Sequence, residues 1–226
     1  MLKVFKVFQS NYFVLITIFM VVAFIFRYQF ILDQSYWMDE LYSASRSLPD
    51  KAFSDVYYWG PDPHPPLHYI FLWITYKLFG FSEIAGRALS IFAGIISIPA
   101  VFFLGKEIFN KRTGLLAACA VTFNPVLFIF SLEARAYEFL SLFTILSSYL
   151  FIRSILNSKF STYILYFISL SILINLHFFG FLILSAHLLC CILIYLKTNN
   201  LTSIKFIVLS IFLSSLSYIP LIGLSL

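Results

Sequence analysis

The sequence predicts an all-α integral membrane protein: a bundle of about seven transmembrane helices, with further helices lying along the surface in its first outer loop. Three observations predict it. Of 226 residues, 61% are hydrophobic and only 11% are charged, against about a quarter charged in an ordinary soluble domain. The apolar residues fall in runs of span length, since ~20 residues at ~1.5 Å each cross a ~30 Å hydrocarbon core. The basic residues gather in alternate connecting segments, as the positive-inside bias requires.

Taken in order, Lys3 and Lys6 precede the first apolar run, 8–26. A signal peptide has a shorter apolar stretch and a small-residue cleavage site, so this run reads as an uncleaved first span. The later runs are 88–104, 115–131, 139–158, 161–176, 178–196 and 206–226. Arg153 can snorkel from within its run. A shorter stretch, 66–79 (PLHYIFLWITYKLF), carries His68 and Lys77. Charge decides its path. If it does not cross, the cytoplasmic segments are the N-terminus, 105–114, 153–160 and 197–205. They then hold Lys3, Lys6, Lys106, Lys111, Arg112, Arg153, Lys159, Lys197 and Lys205 with a single acid, Glu107, and every other acid falls on the outer side. If it crosses, each later loop inverts and KEIFNKR faces outward. The expectation is therefore an embedded or interfacial helix with Tyr69, Trp73 and Tyr76 at headgroup depth. The N-terminus is cytoplasmic and 27–87 is a long outer loop within one module, 1–226. Pro49, Pro61, Pro63, Pro65 and Pro66 cut that loop into turns and short helices, one of them an amphipathic helix expected within 47–59.

The net charge of +5 forms no basic tract, which excludes nucleic acid as a partner and leaves membrane lipids. Cys119, Cys190 and Cys191 lie inside apolar runs and read as small packing residues.

Four segments carry groups with chemistry. Asp39 and Glu40 lie in an aromatic setting, SYWMDELYS, beyond the first span. A carboxylate beside a membrane surface has its pKa raised and makes a useful general base, whereas a plain loop acid is only solvated. In PDPHPPLHY, His64 and two prolines stiffen the lead-in to a helix whose N-terminus attracts anions; a simple proline-started helix is the plainer reading. In SLEARAYE, Glu133, Arg135 and Glu138 stand at the end of a span. Arg135 has the planar fork that suits phosphate, although a pair with Glu133 that merely ends the loop also fits. In FGFSEIAGR, Glu83 and Arg87 stand at the start of a span, where lipid anchoring is the commoner role. Asn175 and His177 end another span and read as interface residues.

WMDE, then HPPLHYIFLWITYKLFGFSEIAGRALSIFAGIISIPAVFFLGKEIFNKRTGLLAA, then SLEARAYEFLSLF resemble the N-terminal half of bacterial membrane glycosyltransferases. These are similar to the dolichyl-phosphate-mannose protein mannosyltransferases and the lipid A aminoarabinose transferases. The likeness spans residues 30–160, with four elements in order. It implies a GT-C fold in a multi-pass plasma (inner) membrane, with a first outer loop that carries the catalytic acid and two membrane-lying helices. It also implies a polyprenyl-phosphate-linked sugar donor and transfer on the outer face to a lipid, glycan or protein acceptor. By position, Asp39 matches the catalytic base and Glu40 its neighbour; His64 matches the histidine of the HPPL element. Arg87, Glu133, Arg135 and Tyr137 match positions near the donor phosphate and acceptor pocket. His68 stands where tyrosine is common, and Leu132 where glutamine is frequent.

The expected function is thus inverting sugar transfer from polyprenyl phosphate to a hydroxyl, with a carboxylate base. No cofactor is legible, and a divalent ion held by Asp39 or Glu40 with donor phosphate stays open. The resemblance implies a longer chain, and this one stops within its seventh run. A non-catalytic lipid-glycan-binding subunit, or a short form joined by a second membrane chain, is the alternative. A transporter ranks last, because the span centres are nearly free of charge.

Overall fold

The computed structural model describes residues 12–31, 35–58, 64–199 and 201–218, with the side chains of 201–203 left out. Lys3, Lys6, the start of the first run, Pro61, Pro63 and the end of the seventh run lie outside them. The described residues form eleven α-helices: α1 (Tyr12–Phe30), α2 (Met38–Arg46), α3 (Phe53–Tyr57), α4 (Leu67–Phe79), α5 (Glu83–Ile108), α6 (Lys111–Phe123), α7 (Pro125–Ser131), α8 (Tyr137–Asn157), α9 (Phe160–Leu176), α10 (Gly180–Thr198) and α11 (Leu201–Ser217). The protein is an all-α membrane protein.

Four helices, α1, α5, α8 and α10, are long and apolar enough to cross a membrane, and α6 with α7 makes a fifth if that bent pair is one span. The seven expected spans are therefore matched to that extent. Of the other two runs, α9 has 17 residues, about 25 Å of helix, and α11 is similarly short.

The run 115–131, expected as one span, is broken. Asn124 ends α6 and its side chain accepts from Val126 N and Leu127 N at 2.9 and 3.0 Å. Pro125 then takes the first position of α7, where its missing N–H costs nothing. The two helices meet at 58°. Of the helix expected within 47–59, the described residues form the five-residue α3 only.

α5 is the axis of the fold. Ser82 caps its start, accepting from Ala85 N at 3.2 Å, and α1, α4, α6, α7 and α8 all pack on it. A second group, α8 to α11, buries Phe151, Tyr166, Leu170, Leu173, Ile174 and Ile207. Large apolar side chains stay exposed along α1 and α10, including Phe13, Ile18, Val21, Leu189 and Leu193, as helix faces in contact with lipid require. α4, with 13 residues, reaches about 20 Å, short of a ~30 Å core.

The two ends of α5 differ in chemistry. Its last turn lies with Lys106, Lys111 and Arg112, and Glu107 meets Arg153 of α8 at 3.6 Å. At its other end Tyr36 N donates to Glu83 at 3.2 Å, and Arg87 reaches Glu40, which also accepts from Ala134 N.

The α5–α6 turn closes on glycine. A Cβ on Gly114 would strike the Phe102 carbonyl oxygen, and one on Gly105 would come within 2.9 Å of the Gly114 backbone. Both obstacles are main chain and cannot rotate away. Gly114→Leu is expected to destabilise the protein by about 1–3 kcal/mol, read as a lower thermal midpoint in detergent; an unchanged midpoint would contradict this packing.

Candidate active site

Glu40 ties the site end together. It sits in the first turn of α2, where a carboxylate meets the positive end of the helix dipole, and reaches back to accept the Trp37 backbone N–H at 3.3 Å. It is fully buried. Arg87 of α5 donates to it from Nε at 2.9 Å and from Nη2 at 2.8 Å, and the Ala134 backbone N–H donates at 2.8 Å. Arg87 also donates to the carbonyls of Ile31 at 2.7 Å and Ser35 at 3.3 Å. One carboxylate thus joins the WMDE, SEIAGR and LEARAY segments.

The sequence placed Glu40 beside the catalytic base and Arg87 near the donor phosphate. In the structure both Glu40 oxygens are engaged and Arg87 is buried against them. A desolvated, forked pair of this kind holds its neighbours in place.

Asp39 points elsewhere. Its side chain is 44% exposed and lies 3.7 Å from Arg135 Nη2. Arg135 Nη1 donates to the Asp39 carbonyl at 3.2 Å and to Ser43 Oγ at 3.0 Å. Its Nη2 donates to the Tyr137 hydroxyl at 3.4 Å, and the guanidinium stands 5.5 Å from that ring's centre. Asp39, Arg135 and Tyr137 therefore come together.

His64 stands on the far wall. Its ring is 5.4 Å from that of His177, which is 6.0 Å from Tyr137. Between them and His68 lies a space of about 10 Å³, room for roughly one water. Burial, then the charge of Arg135 and His64, pushes His68 down to about 3. Burial, then His64 and Arg135, takes His177 to about 4. Both rings are neutral near pH 7. His177 Nδ1 accepts the Phe179 N–H at 3.2 Å, which leaves the ring proton on Nε2.

Glu133 faces a separate cleft of about 350 Å³, shared with Trp37, Leu132 and the Glu40–Arg87 pair. Its Oε2 is buried with no hydrogen-bond partner. Burial raises its pKa first, Glu40 next, and Arg135 offsets part of the rise.

Sequence reasoning passed over Ser43, His177 and Trp37. Ser43 follows Asp39 by one helical turn and so shares its face. His177 reads from sequence as an interface residue, and its ring neighbours His64 and Tyr137 come from distant segments. Among the described residues no three His, Cys, Asp or Glu side chains converge as a metal-ligand set.

The dolichyl-phosphate-mannose-protein mannosyltransferase family matches residues 63–220. The chain belongs to this family. It is accordingly a GT-C-type membrane enzyme of the glycosyltransferase kind, in a family that uses polyprenyl-phosphate-linked sugar donors. The match contains His64, Arg87, Glu133, Arg135 and Tyr137, while Asp39 and Glu40 precede it. A search of curated proteins found no match.

Removing one partner of the buried pair leaves the other charge uncompensated. Glu40→Gln or Arg87→Met alone is expected to cost about 3–5 kcal/mol, and Glu40→Gln with Arg87→Met less than the sum of the two. Thermal unfolding of the three variants in detergent checks this; additive losses would contradict a direct pair.

Proposed function

We propose that the protein transfers a sugar from a polyprenyl-phosphate donor to a hydroxyl of a lipid, glycan or protein on the outer face of the plasma membrane, with Asp39 as base. The observation that carries this reading is the Asp39–Arg135 contact at 3.7 Å, in which the carboxylate is half exposed beside a buried guanidinium. A base has to reach its proton, and the group that steadies the leaving phosphate has to lie close by.

In the reaction, Asp39 takes the acceptor hydroxyl proton while the acceptor oxygen bonds to the sugar's C1. The bond from C1 to the phosphate oxygen breaks on the opposite side, so the anomeric carbon inverts. The electron pair leaves with polyprenyl phosphate. Arg135 is the cation for that charge, and its contacts with Ser43, Tyr137 and the Asp39 carbonyl hold it in place. An incoming phosphate competes with Asp39 for Arg135, which frees the carboxylate to act as base. His64 lies on the same side, in the aromatic wall with His177 and Phe178. Glu40 and Arg87 act through others: they hold α2 and the 132–136 turn so that Asp39 and Arg135 meet.

The membrane orientation follows from charge. The basic end of α5 faces the cytoplasm with the N-terminus, and the Asp39 end faces outward.

Asp39→Asn is expected to lower turnover by at least about 100-fold while leaving polyprenyl-phosphate affinity within a few fold. Arg135→Gln is expected to lower both. Membranes supplied with labelled polyprenyl-phosphate-mannose, the donor class of the family, give the measurement. Turnover unaffected by Asp39→Asn would remove this residue as the base.

A further inference from the structure

Two further charges are buried beneath the site end, and the transfer reaction does not use them. Arg27 in the last turn of α1 and Glu138 in the first turn of α8 are both fully buried. Each stands at the helix end whose dipole suits its charge. Arg27 donates from Nε to Ser131 Oγ at 2.7 Å and from Nη1 to the Ala23 carbonyl at 3.3 Å. Ser131 Oγ in turn donates to the Phe128 carbonyl at 2.6 Å, so it offers Arg27 a lone pair. Arg27 Nη2 and both Glu138 oxygens are buried with no hydrogen-bond partner among the described residues.

Gly94 of α5 shows how close the two ions come. A Cβ built there would lie 3.1 Å from Glu138 Oε1, 3.2 Å from Ser131 Cβ and 3.3 Å from Arg27 Nε. The three groups thus converge on one point that the missing side chain leaves open. A guanidinium does not give up its proton inside a protein, so a fully buried one needs a counter-charge. Glu138 is the carboxylate whose charge acts on it. Ser131 and Glu138 also flank the stretch that carries Arg135 and Tyr137. One cation therefore faces both ends of that stretch.

We propose that Arg27 is a positioning residue for Arg135: it clamps the 132–137 stretch, holding Ser131 by a hydrogen bond and Glu138 as its counter-ion. The arrangement repeats that of α2. Adjacent residues again divide by helical phase: Glu138 is buried with Arg27, while the Tyr137 hydroxyl accepts from Arg135 at 3.4 Å. The consequence for phosphate binding rests on the proposed transferase function; the clamp itself does not.

The test compares detergent-solubilised wild type with Arg27→Met, Glu138→Gln, the double variant, Gly94→Ala and Gly114→Leu. It reads the thermal midpoint and the affinity for bare polyprenyl phosphate. Gly114 packs against the opposite end of α5, so Gly114→Leu controls for lost stability alone and is expected to keep wild-type affinity. Arg27→Met and Glu138→Gln are each expected to weaken the lipid about tenfold, and the double variant no further than either one. Gly94→Ala keeps every charge but pushes the ions aside; it is expected to weaken the lipid by a few fold, and it carries the test if Arg27→Met does not fold. Affinity losses no greater than that of Gly114→Leu would overturn the positioning role. Midpoint losses that simply add in the double variant would overturn the counter-ion assignment. Wild type that binds no polyprenyl phosphate overturns the proposed function instead, and the midpoints then decide the clamp on their own.

Discussion

The site end of this protein depends on one buried carboxylate. Glu40 is fully buried and accepts from Arg87, from the Ala134 backbone and from the Trp37 backbone. Desolvating a carboxylate and a guanidinium costs several kcal/mol per ion, and only a forked geometry with the remaining lone pairs satisfied recovers it. The recovery here is spread over three segments that are remote in sequence. That is why α2, the start of α5 and the 132–136 turn hold a fixed relation.

Two adjacent acids consequently do different work. A helix turns about 100° per residue, so Asp39 and Glu40 cannot face the same way. Glu40 faces the bundle and is consumed by structure. Asp39 faces the rim, keeps 44% of its side chain exposed and meets Arg135. The arginines divide in the same manner: Arg87 serves Glu40, while Arg135 is shared between a carbonyl, two hydroxyls and Asp39. A buried pair thus positions an accessible one, as a site that depends on alignment requires.

Much of the fold was legible because hydropathy and charge report directly on the bilayer. Helices occupy each of the expected apolar runs that the structure describes, and Lys106, Lys111 and Arg112 gather at the end of α5 opposite Glu83 and Arg87. The break at Asn124 was not read, since apolar residues continue through it; the local signal was the Asn-Pro pair, a capping residue followed by a helix-starting one. At the site, the sequence grouped Asp39 with Glu40 and Arg87 with Arg135 by type. It could not separate them by role, because role here is a matter of helical phase and of contacts such as Glu40 with Ala134, 94 residues apart. Trp37 and Ser43 were near in sequence to a recognised acid, yet their importance rests on which wall each one forms.

The most direct test of this account is hydrogen–deuterium exchange on the solubilised protein, comparing wild type with Glu40→Gln. The Ala134 amide donates to Glu40 in a buried site, so it exchanges slowly while that contact holds. The account predicts that Glu40→Gln speeds exchange in both 38–46 and 132–137 and leaves the α9–α11 core unchanged. Exchange at 132–137 that stays at the wild-type rate would contradict the claim that this carboxylate holds the two segments together.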